Sequence, residues 1–381
     1  MGLPRSRTVR WIAPLGAVAV VAGVAASVPA LTAGAAGALP GITPQQLLVK
    51  AEQSHVTGLS GTVRVSADLG LPQLPAPSGE DASVQTMLSG THILSVAVRG
   101  PQQQRIGIHG SLEQTELIHN GRDVWVYRST ANKVNHLRLP AGHASTPAGS
   151  GKSVPGGGGA AAMTPQALAK RALAAVTPST QVTTDQQITV AGRAAYVLRL
   201  APRSGASLID HISIAVDGRT GAPLAVTVMP RSGDKPAIDV AYTSVNFTPP
   251  AASTFRFTPP VGAKVTTAAV TQQQLREMFE AFKQRQAGSA QRPTILGAGW
   301  AAVAEFRGVS LSGLSAQASG NGAQLMHAML QSGRSVTGTY GSGTLWSSRL
   351  LTVLVTSNGR MFIGAVTPQA IESAAGQPAA R

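Results

Sequence analysis

In a series of short runs between residues 60 and 260 apolar and polar residues alternate with a period of two, and that pattern folds as little other than antiparallel sheet. Val63, Val65, Ala67 and Leu69 face one way, while Arg64, Ser66 and Asp68 face the other. The same pattern returns at His92–Arg99, Arg105–His109, Thr115–His119, Val124–Tyr127 and Val134–Leu139. It resumes at Gln187–Val190, Ala195–Leu200, Ile209–Val216, Leu224–Met229, Ile238–Phe247 and Thr254–Phe257. Asn120-Gly121 and Asp217-Gly218 supply tight hairpin turns between neighbouring runs. About ten or eleven antiparallel strands are therefore expected.

Two helices interrupt the strands. Each opens on Thr-Pro, a threonine N-cap followed by a proline in the first turn. One starts at Thr43-Pro44 and runs to about Ser54; the other starts at Thr164-Pro165 and carries Leu168, Arg171, Ala172 and Ala175. The order helix, strands, helix, strands is that of an α+β fold centred on one large curved sheet. A Pro-rich excursion covers 70–89, and the Gly/Pro/Ser-rich stretch 140–163 reads as a flexible insertion. Pro249-Pro250 and Pro259-Pro260 punctuate the end of the unit, which spans about 42–262. A helix is expected at about 270–288, with Leu275, Met278, Phe279 and Phe282 on one face. From 290 to 378 the pattern is that of a small C-terminal α+β module: strand at Trp300–Phe306, helix at Ala323–Gln331, strands at Leu350–Thr356 and Met361–Val366, and a last helix from Thr367-Pro368.

The first 38 residues read as an export segment. Arg5, Arg7 and Arg10 precede an uncharged run from Ile12 to Leu31, and Ala36-Gly37-Ala38 forms a small-x-small cleavage site. The run is also about the roughly 20 residues that a membrane-spanning helix needs, so a cleaved signal peptide and a retained N-terminal anchor both fit. In either case the arginines stay cytoplasmic and the rest lies outside, secreted or tethered to the outer face of the cytoplasmic membrane. The absence of cysteine excludes a lipid-modified cysteine anchor, thiol catalysis and thiolate metal sites.

The chain carries 31 Lys and Arg against 16 Asp and Glu, a formal net charge of +15. These cations are scattered without a run of five, and aromatics make up only 4%. Nucleic acid is therefore not the expected partner; anionic lipid headgroups and acidic envelope polymers are what an exported basic chain meets.

Catalytic patterns are lacking. Gly58-Leu59-Ser60-Gly61 falls one residue short of the nucleophile elbow, and Ser60 opens a strand. Asp210 and His211 are adjacent on a strand, where neighbouring side chains point to opposite faces, so that adjacency gives them no joint action. His119 beside Asn120-Gly121 reads as a hairpin-shoulder residue, and the eight His show no zinc spacing. Gly341-Ser-Gly343-Thr-Leu-Trp346 lacks the last glycine of a dinucleotide loop and the lysine of a phosphate loop. The sequence reads as a binding protein rather than an enzyme, with no metal and no cofactor implied.

Several phrases, taken in order, carry a family likeness. They are Pro44-Gln-Gln-Leu-Leu, Leu59-Ser-Gly-Thr-Val63, Ile118-His-Asn-Gly121-Arg122-Asp123-Val-Trp125, Ala191-Gly192-Arg193-Ala-Ala-Tyr196 and Val216-Asp217 leading to Gly221-Ala-Pro223-Leu224. Together they resemble the LolA-like superfamily, which includes lipoprotein carriers and the RseB/MucB-type envelope-stress regulators, over about residues 42–262. The resemblance implies a half-open antiparallel β-barrel with helices as a lid over an apolar cavity. It implies acyl chains, lipoproteins or the membrane surface as partners, or alternatively an anti-sigma factor or other membrane protein held by a regulator. Plain carriers have no counterpart of the tail module.

Residues sharing a strand face are the candidates for lining such a cavity: Val63 and Val65, Leu94 and Val96, Trp125 and Tyr127, Leu198 and Leu200, Ile212 and Ile214, Val226 and Val228. If the barrel is filled they are core; if it is open they form its wall. A buried methylene is worth about 0.8 kcal/mol, so a twelve-carbon chain would gain roughly 8–10 kcal/mol before ordering costs. An acyl site of this kind needs no polar motif.

Overall fold

The computed structural model describes residues 39–54, 56–72, 89–110, 113–140, 162–274, 277, 293–309, 328–329 and 331–377. The export segment expected at 1–38, most of the insertion expected at 140–163, most of the Pro-rich excursion and most of the helix expected at 270–288 lie outside them, as do residues 323–327 and 330.

Twelve strands form one sheet: β1 (Gly58–Asp68), β2 (Ser89–Arg99), β3 (Gln103–His109), β4 (Gln114–Asn120), β5 (Asp123–Arg128), β6 (Lys133–Arg138), β7 (Thr180–Val190), β8 (Arg193–Pro202), β9 (Ile209–Asp217), β10 (Pro223–Pro230), β11 (Ile238–Asn246) and β12 (Lys264–Ala269). Their order is β12-β6-β5-β4-β3-β2-β1-β11-β10-β9-β8-β7. Hairpins link nearly all neighbours, and β1 joins the two halves by pairing with both β2 and β11. The sheet stays open, with β7 and β12 at its ends. It is also far from flat: β7 and β11 stand four strands apart in the order yet approach within 8 Å between Cα atoms. Flat neighbours about 4.8 Å apart would put them roughly 19 Å from one another. The Arg193 guanidinium of β8 sits 4.7 Å from the ring centroid of Phe247, just past β11, which fastens this coil. Bulges at Thr62/Val63 and Asp185/Ile188 supply extra bend.

The large curved antiparallel sheet expected from the pattern is present, open and not closed into a barrel, with two differences. Thr254–Phe257 is not a strand; Ala252–Phe255 is a 3-10 turn that presses Phe255, fully buried, onto β3 and β4. The sheet also runs past residue 262, because β12 pairs parallel to β6. All six residues of β12 are exposed, so no alternation marked it in the sequence.

Helix α1 (Pro44–Glu52) opens with a full capping box, Thr43 and Gln46 exchanging side chain-to-backbone hydrogen bonds. Helix α2 (Pro165–Ala174) is capped by Thr164. Both lie on the face of the sheet that we call inner. Leu47 and Ala51 of α1 and Ala169, Ala172 and Leu173 of α2 pack on Leu198, Leu200, Ile214 and Val226. Each fully buried Leu or Ile here contributes about 1.5–3 kcal/mol of transfer free energy.

A second sheet has the order β13-β14-β18-β17-β16-β15. Its strands are β13 (Thr294–Leu296), β14 (Val303–Arg307), β15 (Arg334–Gly338), β16 (Gly341–Ser347), β17 (Thr352–Thr356) and β18 (Arg360–Gly364), with α3 (Pro368–Ala375) packed on β17 and β18. Trp300 joins it to the large sheet by donating from Nε1 to Thr180 Oγ1 at 2.8 Å. Arg349 spans the junction, reaching Asp68 Oδ2 at 2.7 Å and the carbonyls of Lys235 and Pro236. Ser207 forms a single bridge with Val366.

Candidate functional site

A cavity of about 580 Å³ lies between the two helices and the inner face of the large sheet, within the roughly 300–1,000 Å³ of small-molecule sites. Its floor follows from strand register. Leu59 pairs with Val98 and Gly61 with Val96 across β1 and β2, and Val96 pairs with Ile106 across β2 and β3. Paired residues share a face, so Leu59, Val96, Val98 and Ile106 make one apolar surface, and all four line the cavity. Gly61 sits among them without a side chain; a Cβ there would collide with the Ser244 carbonyl oxygen of β11 and lie 3.1 Å from the Tyr242 ring.

The roof is the end of α1 and one side of α2, with Ala51, Gln166 and Leu173 facing inward. Tyr242 of β11, 2% exposed, donates from its hydroxyl to Gln166 Oε1 at 3.0 Å. Gln166 in turn donates from Nε2 to the Pro223 carbonyl at 3.1 Å. Burial pushes the Tyr242 phenol well above its ordinary value, against the smaller opposing effect of Gln166, so it stays protonated and donates throughout. Glu52 and Lys170, both exposed, mark where the wall meets solvent. The arrangement is a trough with an apolar floor, polar groups of Gln104, Thr164, Gln166 and Tyr242 along its walls, and a charged mouth.

Among the twelve cavity candidates, Val96 lines the cavity. Val63, Val65 and Leu94 are buried in the same cluster as Leu59, Val96, Ile106 and Tyr242. Leu198, Leu200, Ile214 and Val226 are packed solid beneath α1 and α2, with Ile212 partly buried against them. Val228 pairs with Ile212 and is half-buried. Trp125 and Tyr127 take the opposite face. Trp125 pairs with Ile118, which pairs with Arg105, which pairs with Ala97, the outward neighbour of Val96. There Trp125 stacks on His136 with centroids 3.6 Å apart and meets Phe257 at 5.5 Å. Alternation within a strand shows that two residues share a side but not which side is inner. Leu59 and Val98 were within reach of sequence reasoning, being in phase with Val63 and Val96. The helix residues Glu52, Gln166 and Lys170 had no such signal.

Asp210 and His211 correct the expectation drawn from their adjacency. His211 pairs with Met229 while Ile209 pairs with Pro230, so Asp210 is the extra residue of a bulge, and a bulge turns successive side chains to one side. Asp210 Oδ2 lies 2.7 Å from His211 Nδ1 and 3.3 Å from Arg199 Nη2. The His211 hydrogen bond leads the effects that hold the Asp210 carboxyl below its usual range. His119 sits at its hairpin shoulder, 2.9 Å from the Gly121 carbonyl, and burial lowers its pKa. Among the described residues no group of three or more His, Asp or Glu could hold a metal ion, and no helix is long and apolar enough to cross a membrane.

No protein-family model matches the sequence, and no curated protein matches it. Among solved structures, the complex of MucA and MucB from Pseudomonas aeruginosa is similar at 14% identity, over 89% of this chain and 99% of that one, with a TM-score of 0.41. A LolA superfamily protein from Nitrosomonas europaea is similar at 13% identity, over 57% of this chain and 99% of that one, with a TM-score of 0.23. An uncharacterized conserved protein from Thermus thermophilus is similar at 13% identity over 59% of this chain and 98% of that one, with a TM-score of 0.32. The solved structures to which this chain is similar thus include a LolA superfamily protein and MucB, at low sequence identity.

Proposed function

We propose that this chain is an exported protein that binds a lipid or the acyl part of a lipoprotein in the cavity between α1, α2 and the sheet. The observation that carries the reading is the apolar floor of Leu59, Val96, Val98 and Ile106 left unfilled beneath the helices. Burying the chain of a ligand there at about 0.8 kcal/mol per methylene supplies affinity without any motif. The Tyr242–Gln166 pair, with Gln104 and Thr164 on the same lining, offers hydrogen-bonding groups inside the cavity, suited to a carbonyl of an ester or amide. The test is solvent extraction of the purified full chain followed by mass spectrometry. Stoichiometric acyl species support the reading, and repeated recovery of empty protein that also takes up no added lipid contradicts it. A membrane protein recovered in equal amount, with no lipid, favours instead a regulator that holds an anti-sigma factor or similar partner.

A further inference from the structure

The mouth of the cavity carries one charge of each sign. Glu52 is the last residue of α1 and Lys170 lies in the middle of α2; both line the opening. Neither makes an ion pair or a side-chain hydrogen bond among the described residues, and the two are not paired with one another. The exposed Glu113 and Asp234 are likewise without an ion pair among the described residues, but of these only Glu52 borders the cavity. Asp68, Glu116, Asp217, Asp239 and Glu305 all have an arginine partner. The position is also one where a carboxylate gains nothing from its helix, because the free carbonyls at a C-terminus already present partial negative charge. Lys50, in the same turn, does not line the cavity and instead lies against Gly221. The end of α1 is therefore a cation-attracting point, with an anion-attracting lysine across the same opening.

Resting on the acyl-binding reading, we infer that the mouth selects a zwitterionic phospholipid headgroup that carries both a phosphate and a primary ammonium. Lys170 takes the phosphate, and Glu52 with the carbonyl end of α1 takes the ammonium, while the acyl chain lies on the Val96–Ile106 floor. A site built for a purely anionic headgroup has no use for Glu52, which would repel it.

The test compares three probes with the same acyl chain on the full chain: monoacylglycerol, lysophosphatidylglycerol and lysophosphatidylethanolamine, titrated by displacement of a fluorescent fatty acid. Lysophosphatidylethanolamine is expected to bind about two- to fivefold more tightly than either other probe, the gain an exposed ion pair supplies. Glu52→Gln removes its advantage over lysophosphatidylglycerol, and Lys170→Met weakens both phospholipids relative to monoacylglycerol. Equal binding of all three overturns the headgroup assignment and leaves the acyl reading standing. Tightest binding of lysophosphatidylglycerol overturns it in the same way. No binding of any probe overturns both.

Discussion

The Tyr242 hydroxyl lies 3.0 Å from Gln166 Oε1, a hydrogen bond that ties the central strand β11 to helix α2 across the inner end of the cavity. Breaking it from the strand side leaves the half-buried Gln166 oxygen without its protein donor, which costs about 1 kcal/mol, the low end of the range for an unsatisfied buried group. Tyr242→Phe is expected to lower the unfolding free energy by that amount in a denaturant titration. Acyl probes that bring their own donor should lose less affinity than those that do not.

Filling the trough should abolish binding while sparing the fold. Val98 lines the cavity and is only half-buried, so Val98→Phe has open space to enter. The expected outcome is loss of fluorescent fatty-acid binding with a thermal midpoint within a few degrees of the parent. Normal binding in the folded variant would show that the ligand sits elsewhere.

Trp125 provides the matching control on the other face of the sheet. Trp125→Ala removes the stack on His136 and the contact with Phe257. Because the ring is half-exposed, the cost should fall at or below the low end of the about 3–5 kcal/mol typical of buried aromatics. Binding of the same probe to the folded variant is expected to be unchanged.

Acid should loosen the coil of the sheet. Asp217, 1% exposed, accepts from Arg193 Nε at 2.7 Å and from Nη2 at 2.9 Å, and from the Thr220 backbone and hydroxyl. Burial raises its pKa, but the Arg193 and Thr220 hydrogen bonds together outweigh this and leave it below the usual value. The sign follows from linkage: a carboxylate depressed on folding adds stability above the unfolded value, about 3.9, and that stability is lost as pH falls through the lower folded value. Unfolding midpoints measured from pH 5 downward should therefore drop, and Asp217→Asn should flatten the drop. Glu305 contributes in the same direction: burial raises its pKa, and Arg360 and Arg307 more than offset the rise.

Much of this was legible because alternation is a local property. The phase of Leu59, Val63, Val65 and of Leu94, Val96, Val98 follows from the pleat alone, as do the Thr43 and Thr164 caps. What stayed hidden depends on distant partners. The side to which Trp125 points is set by register carried across three hairpins. The joint orientation of Asp210 and His211 is set by a bulge opposite Met229 and Pro230. Strand β12 has no buried residue to impose a period, and the mouth residues Glu52 and Lys170 come to border one cavity only once α1 and α2 fold over the same face.

The most direct measurement is the affinity of the full chain for saturated fatty acids of increasing length. If the trough of Leu59, Val96, Val98 and Ile106 holds the chain, each added methylene should tighten binding by about 0.8 kcal/mol, close to fourfold, until the 580 Å³ is filled, after which affinity levels off. An affinity that does not change with length would contradict the account.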